Sequence, residues 1–304
     1  MRGVVISGTN NTFAVECEDG LLRNCVIKGK KLDLGQKFYN PLAPGDEVTL
    51  DATEDSSGRI LSPVERKNFL VRKNTKSPYP QIIAANLDCV VCVTAVDLPP
   101  FRPRFAERVL IQSEFLHIPV AVFVNKSDLP MSDSCRERID TWRKNGIPLF
   151  EISVTTGMGL DEAKKFITGK TVALVGQSGV GKSSLLNYFC GNSLQRVGDV
   201  SDKKFRGTHT TTCGKLFHWA EGNLIDTPGV RSFLLWGIEA ADLPYYYNEI
   251  GEKAQSCLFG HSCTHVSEKG CSVLAALEKG EITSERYESF LRIREELITG
   301  RITE

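Results

Sequence analysis

The run from Gly176 to Ser184 carries the residues of a phosphate-binding loop at their required spacing. Gly176, Gln177, Ser178, Gly179, Val180, Gly181, Lys182 and Ser183 spell G-x-x-x-x-G-K-S. The motif follows the apolar, strand-like TVALV and opens the helix-like KSSLLNYF, to which Ser184 belongs. Glycines let backbone N–H groups curl around phosphate oxygens, and the positive end of the following helix faces the anion. The Lys182 ammonium reaches toward β- and γ-phosphates, and the Ser183 hydroxyl is placed to ligate Mg²⁺.

Three further strings complete a nucleotide site. Asp226-Thr-Pro-Gly229 ends the short apolar NLI; Asp226 would hold Mg²⁺ directly or through water, and the Gly229 N–H would sense a γ-phosphate. Alone it also reads as an ordinary turn. Asn125, Lys126, Ser127 and Asp128 follow the buried strand PVAVFV. The Asp128 carboxylate can accept from guanine N1–H and the exocyclic amine, whereas adenine offers an acceptor at N1 and no such amine, so guanine is selected. Lys126 would cover the base with its alkyl stem, and Asn125 would tie this loop to the phosphate loop. A helix-capping turn is the competing reading of N-K-S-D. Ser153-Val-Thr-Thr-Gly157, after IPLFEI, offers backbone N–H groups to guanine O6, or is a plain turn before a helix.

These motifs resemble those of TRAFAC-class GTPases, but the base-recognition strings precede the phosphate loop. The order is circularly permuted, and Thr168-Gly169-Lys170 is the segment that would join the original termini. Val230 stands where a regular small GTPase has its water-orienting glutamine. The local substitute is His209 in Gly207-Thr-His-Thr-Thr-Thr212, between the phosphate loop and Asp226. Packing or capping is the alternative role for that histidine, and Arg206 and Arg231 are alternative charge stabilisers. Thr211 is the threonine expected to complete the Mg²⁺ shell.

A second constellation lies near the end. Cys257, Cys263, His265 and Cys271 form C-x5-C-x-H-x5-C, three thiolates and an imidazole for a tetrahedral Zn²⁺ with no open position, hence structural. His261, inside the first gap, is a possible substitute ligand.

Positioning these groups calls for three kinds of element. Residues 1–68 read as short strands separated by turn residues, GVVISGTNNTFAVEC, LLRNCVIKG, DEVTLDATE and GRILSPVE, which suits a five-stranded oligonucleotide-binding (OB-fold) barrel. Lys28, Lys30, Lys31 and Lys37 would lie on its binding loops or form a solvated basic loop. From residue 88 buried strands alternate with helices, beginning with DCVVCVTAV and the amphipathic RFAERVLIQSEFL, the pattern of a parallel sheet covered on both faces. This α/β P-loop GTPase domain is assigned to residues 69–233. Residues 234–304 read as a mostly helical zinc-binding tail, with ADLPYYYNEIGEKAQ and SERYESFLRIREELITG flanking the cluster.

Composition bounds the possibilities. A net charge of zero excludes a uniformly basic nucleic-acid binder, although the three segments carry minus one, plus six and minus five. Ten cysteines at irregular spacing suggest thiols and a metal rather than a disulfide framework. No apolar stretch reaches the roughly eighteen residues of a membrane span, and the first twenty residues lack a signal peptide's apolar core. A cytoplasmic protein with no membrane partner is expected, with monomer as the default state.

The combination of a β-rich leader, N-K-S-D ahead of G-Q-S-G-V-G-K-S-S-L, G-T-H-T-T-T, D-T-P-G-V-R and a terminal C…C-x-H…C resembles the bacterial RsgA (YjeQ/YloQ) family of small ribosomal subunit biogenesis GTPases over essentially the whole chain. The resemblance implies a cytoplasmic factor in late small-subunit (30S) maturation that binds GTP and GDP and 16S rRNA, and that hydrolyses GTP faster on the subunit. It also implies that His209 is catalytic. Two positions depart from the family pattern: the first cysteine gap is one residue longer, and Thr208 stands where arginine is frequent. The alternatives are a GTP-sensing RNA-binding module with negligible catalysis, or an assembly GTPase for another RNA or protein partner.

Overall fold

The structure, a computed structural model, describes residues 1–9, 11–27, 37–191, 214–219, 221–227 and 232–301. Five strands build the first unit: β1 (Arg2–Thr9), β2 (Thr12–Cys17), β3 (Leu22–Ile27), β4 (Glu47–Glu54) and β5 (Ser57–Pro63). The stretch read as one strand, GVVISGTNNTFAVEC, is a hairpin of β1 and β2. The strands follow the order β1-β2-β3-β5-β4, and β4 pairs back onto β1 through Gly3 and Val48, so the sheet closes. Alternation places Val5, Val15, Cys25, Val48 and Ile60 inside, all fully buried. Closure removes the exposed edges that a small open sheet would present.

Residues 69–87, left without elements by the sequence pattern, form a hairpin of β6 (Phe69–Arg72) and β7 (Gln81–Ala85). It bridges the units. The Ala85 amide donates to the Pro44 carbonyl of the barrel, while Arg72 Nη1 donates to Ser232 O and the Lys73 amide to Leu234 O.

The α/β unit then runs β8 (Cys89–Ala95), α1 (Pro103–Phe115), β9 (Val120–Asn125), α2 (Asp133–Lys144), β10 (Leu149–Glu151), α3 (Leu160–Ile167), β11 (Thr171–Gly176), α4 (Lys182–Cys190), β12 (Lys215–Trp219) and β13 (Gly222–Asp226). Strand order is β10-β9-β8-β11-β13-β12; every pairing is parallel except β12 with β13. One bridge, Ser7 to Lys215, continues this sheet into the barrel. β8 is buried throughout because both faces are covered. Val90 and Cys92 join Ala106, Val109, Ile139 and Trp142 on the α1/α2 side, and Val91 and Val93 join Leu160, Ala163, Leu185 and Phe189 on the α3/α4 side.

The tail is helical: a 3-10 turn at Leu243–Tyr246, α5 (Asn248–Ala254), α6 (Ser272–Glu278) and α7 (Ser284–Thr299), the last capped by the Thr283 hydroxyl accepting from the Arg286 amide. Helix α6 directly follows Cys271, in addition to the two helices the pattern predicts, and the first of those divides into the 3-10 turn and α5. Its core, with Tyr247, Ile250, Val273, Phe290 and Ile293, also takes in Ile111 of α1.

Helix α1 is therefore covered on two sides rather than one. Glu107, 1% exposed, binds Arg138 of α2 and Arg286 of α7, each at 2.7 Å, and accepts from the Tyr247 hydroxyl. Arg108 makes two bonds to Glu296 at 2.7 and 2.8 Å. Gln112 exchanges a pair of bonds with the backbone of Trp236. Buried charges survive only when paired, and here the pairs lock tail to sheet domain.

Candidate nucleotide site and metal centre

The carboxyl ends of β8, β9, β11 and β13 lie side by side, which is where parallel sheets place their ligands. Chain order reverses across β8 and β11: β9 and β10 lie to one side, β13 to the other. Gly176 leaves β11 beside Val93 O, 2.3 Å from where a Cβ would sit, so only glycine fits. Gly181 begins α4 with φ 98°, and a Cβ there would meet Asn125 Nδ2 at 2.2 Å. Close approach of the two loops thus requires that residue to be glycine.

Asn125 is 3% exposed; its Nδ2 donates to Val180 O at 2.9 Å and its Oδ1 accepts from the Val154 amide at 3.3 Å. One carboxamide braces the phosphate loop, the N-K-S-D loop and the loop after β10. Ser127 Oγ donates to Val124 O, and its amide donates to Ile152 O. Ser153 is buried, accepting through Oγ from the Thr156 amide, while Asp128 is exposed. Lys126 has φ 61° and its Nζ donates to the carbonyl of Leu98, a residue the motif analysis did not single out.

Lys182 is 7% exposed, and its ammonium donates to Gly176 O at 2.7 Å and Gln177 O at 2.9 Å. Burial lowers its pKa, an effect opposed by the nearby Asp226 carboxylate. Burial raises that of Asp226, with Lys182 pulling the other way. Asp226 Oδ1 is buried with no hydrogen-bond partner among the described residues, and Ser183 and Ser184 are exposed at the start of α4. A desolvated carboxylate oxygen without a donor, on the strand next to β11 and near Lys182, suits a hydrated divalent cation. Gln177, Ser178 and Gly179 lie in the loop between β11 and α4. Gly229, Val230, Arg231, Arg206, Thr208, His209 and Thr211 lie outside the described residues, as do Lys28, Lys30 and Lys31.

In the tail, ligand atoms of Cys257, Cys263, His265 and Cys271 all lie within 4.8 Å of one another, and the four residues are buried. Cys257 Sγ is 3.8 Å from Cys271 Sγ, and both are 3.5 Å from His265 Nδ1. Tetrahedral Zn–S bonds of about 2.3 Å set sulfur atoms about 3.8 Å apart, so the donor set fits that ion. Burial lowers the His265 pKa, favouring the neutral imidazole that a metal requires. The Tyr287 hydroxyl fixes the loop by donating to His265 O at 2.6 Å. His261 stands apart, exposed, with Nδ1 3.1 Å from the Tyr245 hydroxyl. The cluster could hold a metal ion through the four residues named, without His261.

A closed barrel, a permuted P-loop sheet domain and a helical tail with a Cys3His cluster define a circularly permuted GTPase. The family model described as RsgA GTPase matches residues 63–236. The small ribosomal subunit biogenesis GTPase RsgA of Phocaeicola vulgatus is 35% identical, covering 99% of this chain and 98% of that protein, and that of Borreliella burgdorferi is 37% identical, covering 96% and 95%. Among solved structures, YjeQ from Thermotoga maritima superposes with TM-score 0.70 at 32% identity over 99% of both chains. YloQ, described as a circularly permuted GTPase, gives 0.66 at 26% over 100% and 96%. The chain belongs to the RsgA family of small ribosomal subunit biogenesis GTPases, as its motifs lead one to expect, and is a hydrolase of GTP. No helix among the described residues is long and apolar enough to cross a membrane.

Proposed function

We propose that this chain is a cytoplasmic, monomeric factor that binds the 30S subunit and its 16S rRNA late in maturation, and that GTP hydrolysis releases it. The observation that most supports a working guanine site is the Asn125 brace, which couples both base loops to the phosphate loop. Asp128 reads guanine, Lys126 covers it, and the Ser153 loop meets O6. Lys182 exchanges its two loop carbonyls for phosphate oxygens, favourable because an anion compensates a buried ammonium better than neutral carbonyls do. Ser183, Asp226 and Thr211 would hold Mg²⁺, which neutralises developing phosphate charge when bound. Gly229 senses the γ-phosphate, and His209 orients the attacking water in place of the absent glutamine. Cys257, Cys263, His265 and Cys271 hold one structural Zn²⁺.

The test is GTP turnover with and without purified ribosomal subunits, alongside co-sedimentation under a GTP analogue and GDP. Acceleration by small subunits, and analogue-dependent binding to them alone, is the expected result. Lack of acceleration would leave only a GTP-sensing module. Preference for another particle would redirect the assembly role.

A further inference from the structure

The loop between β8 and α1 touches both halves of the nucleotide site. Lys126 Nζ donates to Leu98 O, and Pro99 lies against the phosphate loop, its Cδ 3.5 Å from where a Cβ on Gly179 would be. Leu98 occupies left-handed backbone, φ 50°, and its side chain is 68% exposed. An L-residue other than glycine or asparagine does not favour that conformation by itself, and here it holds a large apolar side chain out of the core.

Position identifies what could cover it. With the base at Asp128 and the phosphates at Lys182, the sugar must span from the Lys126 side to the Gly179 side. The loop that bridges those two residues flanks that sugar. We infer that Leu98 is a nucleotide-binding residue: its side chain packs on the ribose and the adjoining edge of guanine, and its carbonyl anchors the Lys126 ammonium so that the lysine stem lies along the base. This rests on the guanine-site reading proposed above.

Calorimetric titration with unlabelled GDP, which carries no dye on the ribose, tests it on the full chain. Loss of a partly buried leucine contact predicts that Leu98→Ala binds about three- to tenfold more weakly, that Leu98→Met recovers wild-type affinity, and that KM for GTP rises by the same factor with kcat at saturation unchanged. An unchanged GDP affinity in Leu98→Ala overturns the inference, as does a fall in kcat with KM unmoved. The melting midpoint, unaltered at so exposed a side chain, separates binding from folding. Asp128→Asn distinguishes the two readings: if it leaves guanine preference intact, or if the wild-type chain does not bind GDP, the guanine site itself fails. If Asp128→Asn abolishes GDP binding while Leu98→Ala does not weaken it, only the role of Leu98 fails.

Discussion

The nucleotide site and the Cys/His centre solve opposite problems. The first draws on Leu98, Asn125, Lys182 and Asp226, distant in sequence and brought together by a sheet packed on both faces. The second offers four donors from the fifteen residues 257–271 and sits in the tail core, where His265 lies against Phe290 of α7. One site is gathered from distant strands; the other has its four donors on one short stretch of chain. The tail meets α1 both through its apolar core, which includes Ile111, and through buried charge pairs.

The largest expected effect tests that contrast directly. Removing the proposed zinc, by chelation or by Cys271→Ser, should forfeit on the order of 10 kcal/mol of local folding energy. Tail helicity should be lost in circular dichroism and the bound-metal stoichiometry should fall, while calorimetric GDP binding persists. Loss of both together would show that the two regions fold as one.

Next comes the seam. Glu107→Ala takes the shared carboxylate from Arg138 and Arg286 and should cost about 3–5 kcal/mol in urea unfolding; because Arg286 keeps Glu249 as a partner, Glu107→Ala combined with Arg138→Met should recover part of it. Within the nucleotide site, Lys182→Ala should weaken GTP binding by at least a hundredfold, roughly the 3 kcal/mol of a charge-assisted contact. His209→Ala should spare binding and remove hydrolysis in a turnover assay. Equal loss of binding in both variants would refute that division of roles.

The smallest effect concerns the metal loop. Glu268 is held well below the usual carboxylate range, first by the Thr264 hydroxyl and also by backbone N–H donors of Thr264 and Ser267; the Val266 amide bonds it too. Because its folded pKa is depressed, its contribution is present above the ordinary glutamate value and is lost as pH falls below it. Glu268→Gln should therefore lower metal retention slightly at neutral pH, with the difference from wild type shrinking as pH falls below the ordinary glutamate value.

Much of the site was legible because phosphate and guanine recognition require particular residues at fixed spacing: G-x-x-x-x-G-K-S and N-K-S-D specify both chemistry and the strand ends that carry it. Leu98 leaves no trace in the sequence pattern, because a backbone carbonyl and an exposed side chain form no motif. The β6–β7 hairpin carries no local signature because it is short and stabilised by contacts to Pro44, Ser232 and Leu234, far away in the chain. In the sequence helix α1 is simply amphipathic, and nothing local marks Glu107 or Arg108 as buried. Their partners, Arg138, Arg286 and Glu296, come from other elements.

By itself the sequence determined which groups could bind GTP and a metal, that the motif order is permuted, and that barrel, parallel sheet and helical tail follow one another. These depend on local periodicity and on residue chemistry at short spacing. Only the tertiary structure decided that α1 is a shared wall between sheet and tail, that His261 stays outside the ligand set, and that Asn125 and Gly181 meet. Such outcomes depend on which buried groups find each other across the fold, and no local pattern encodes that choice.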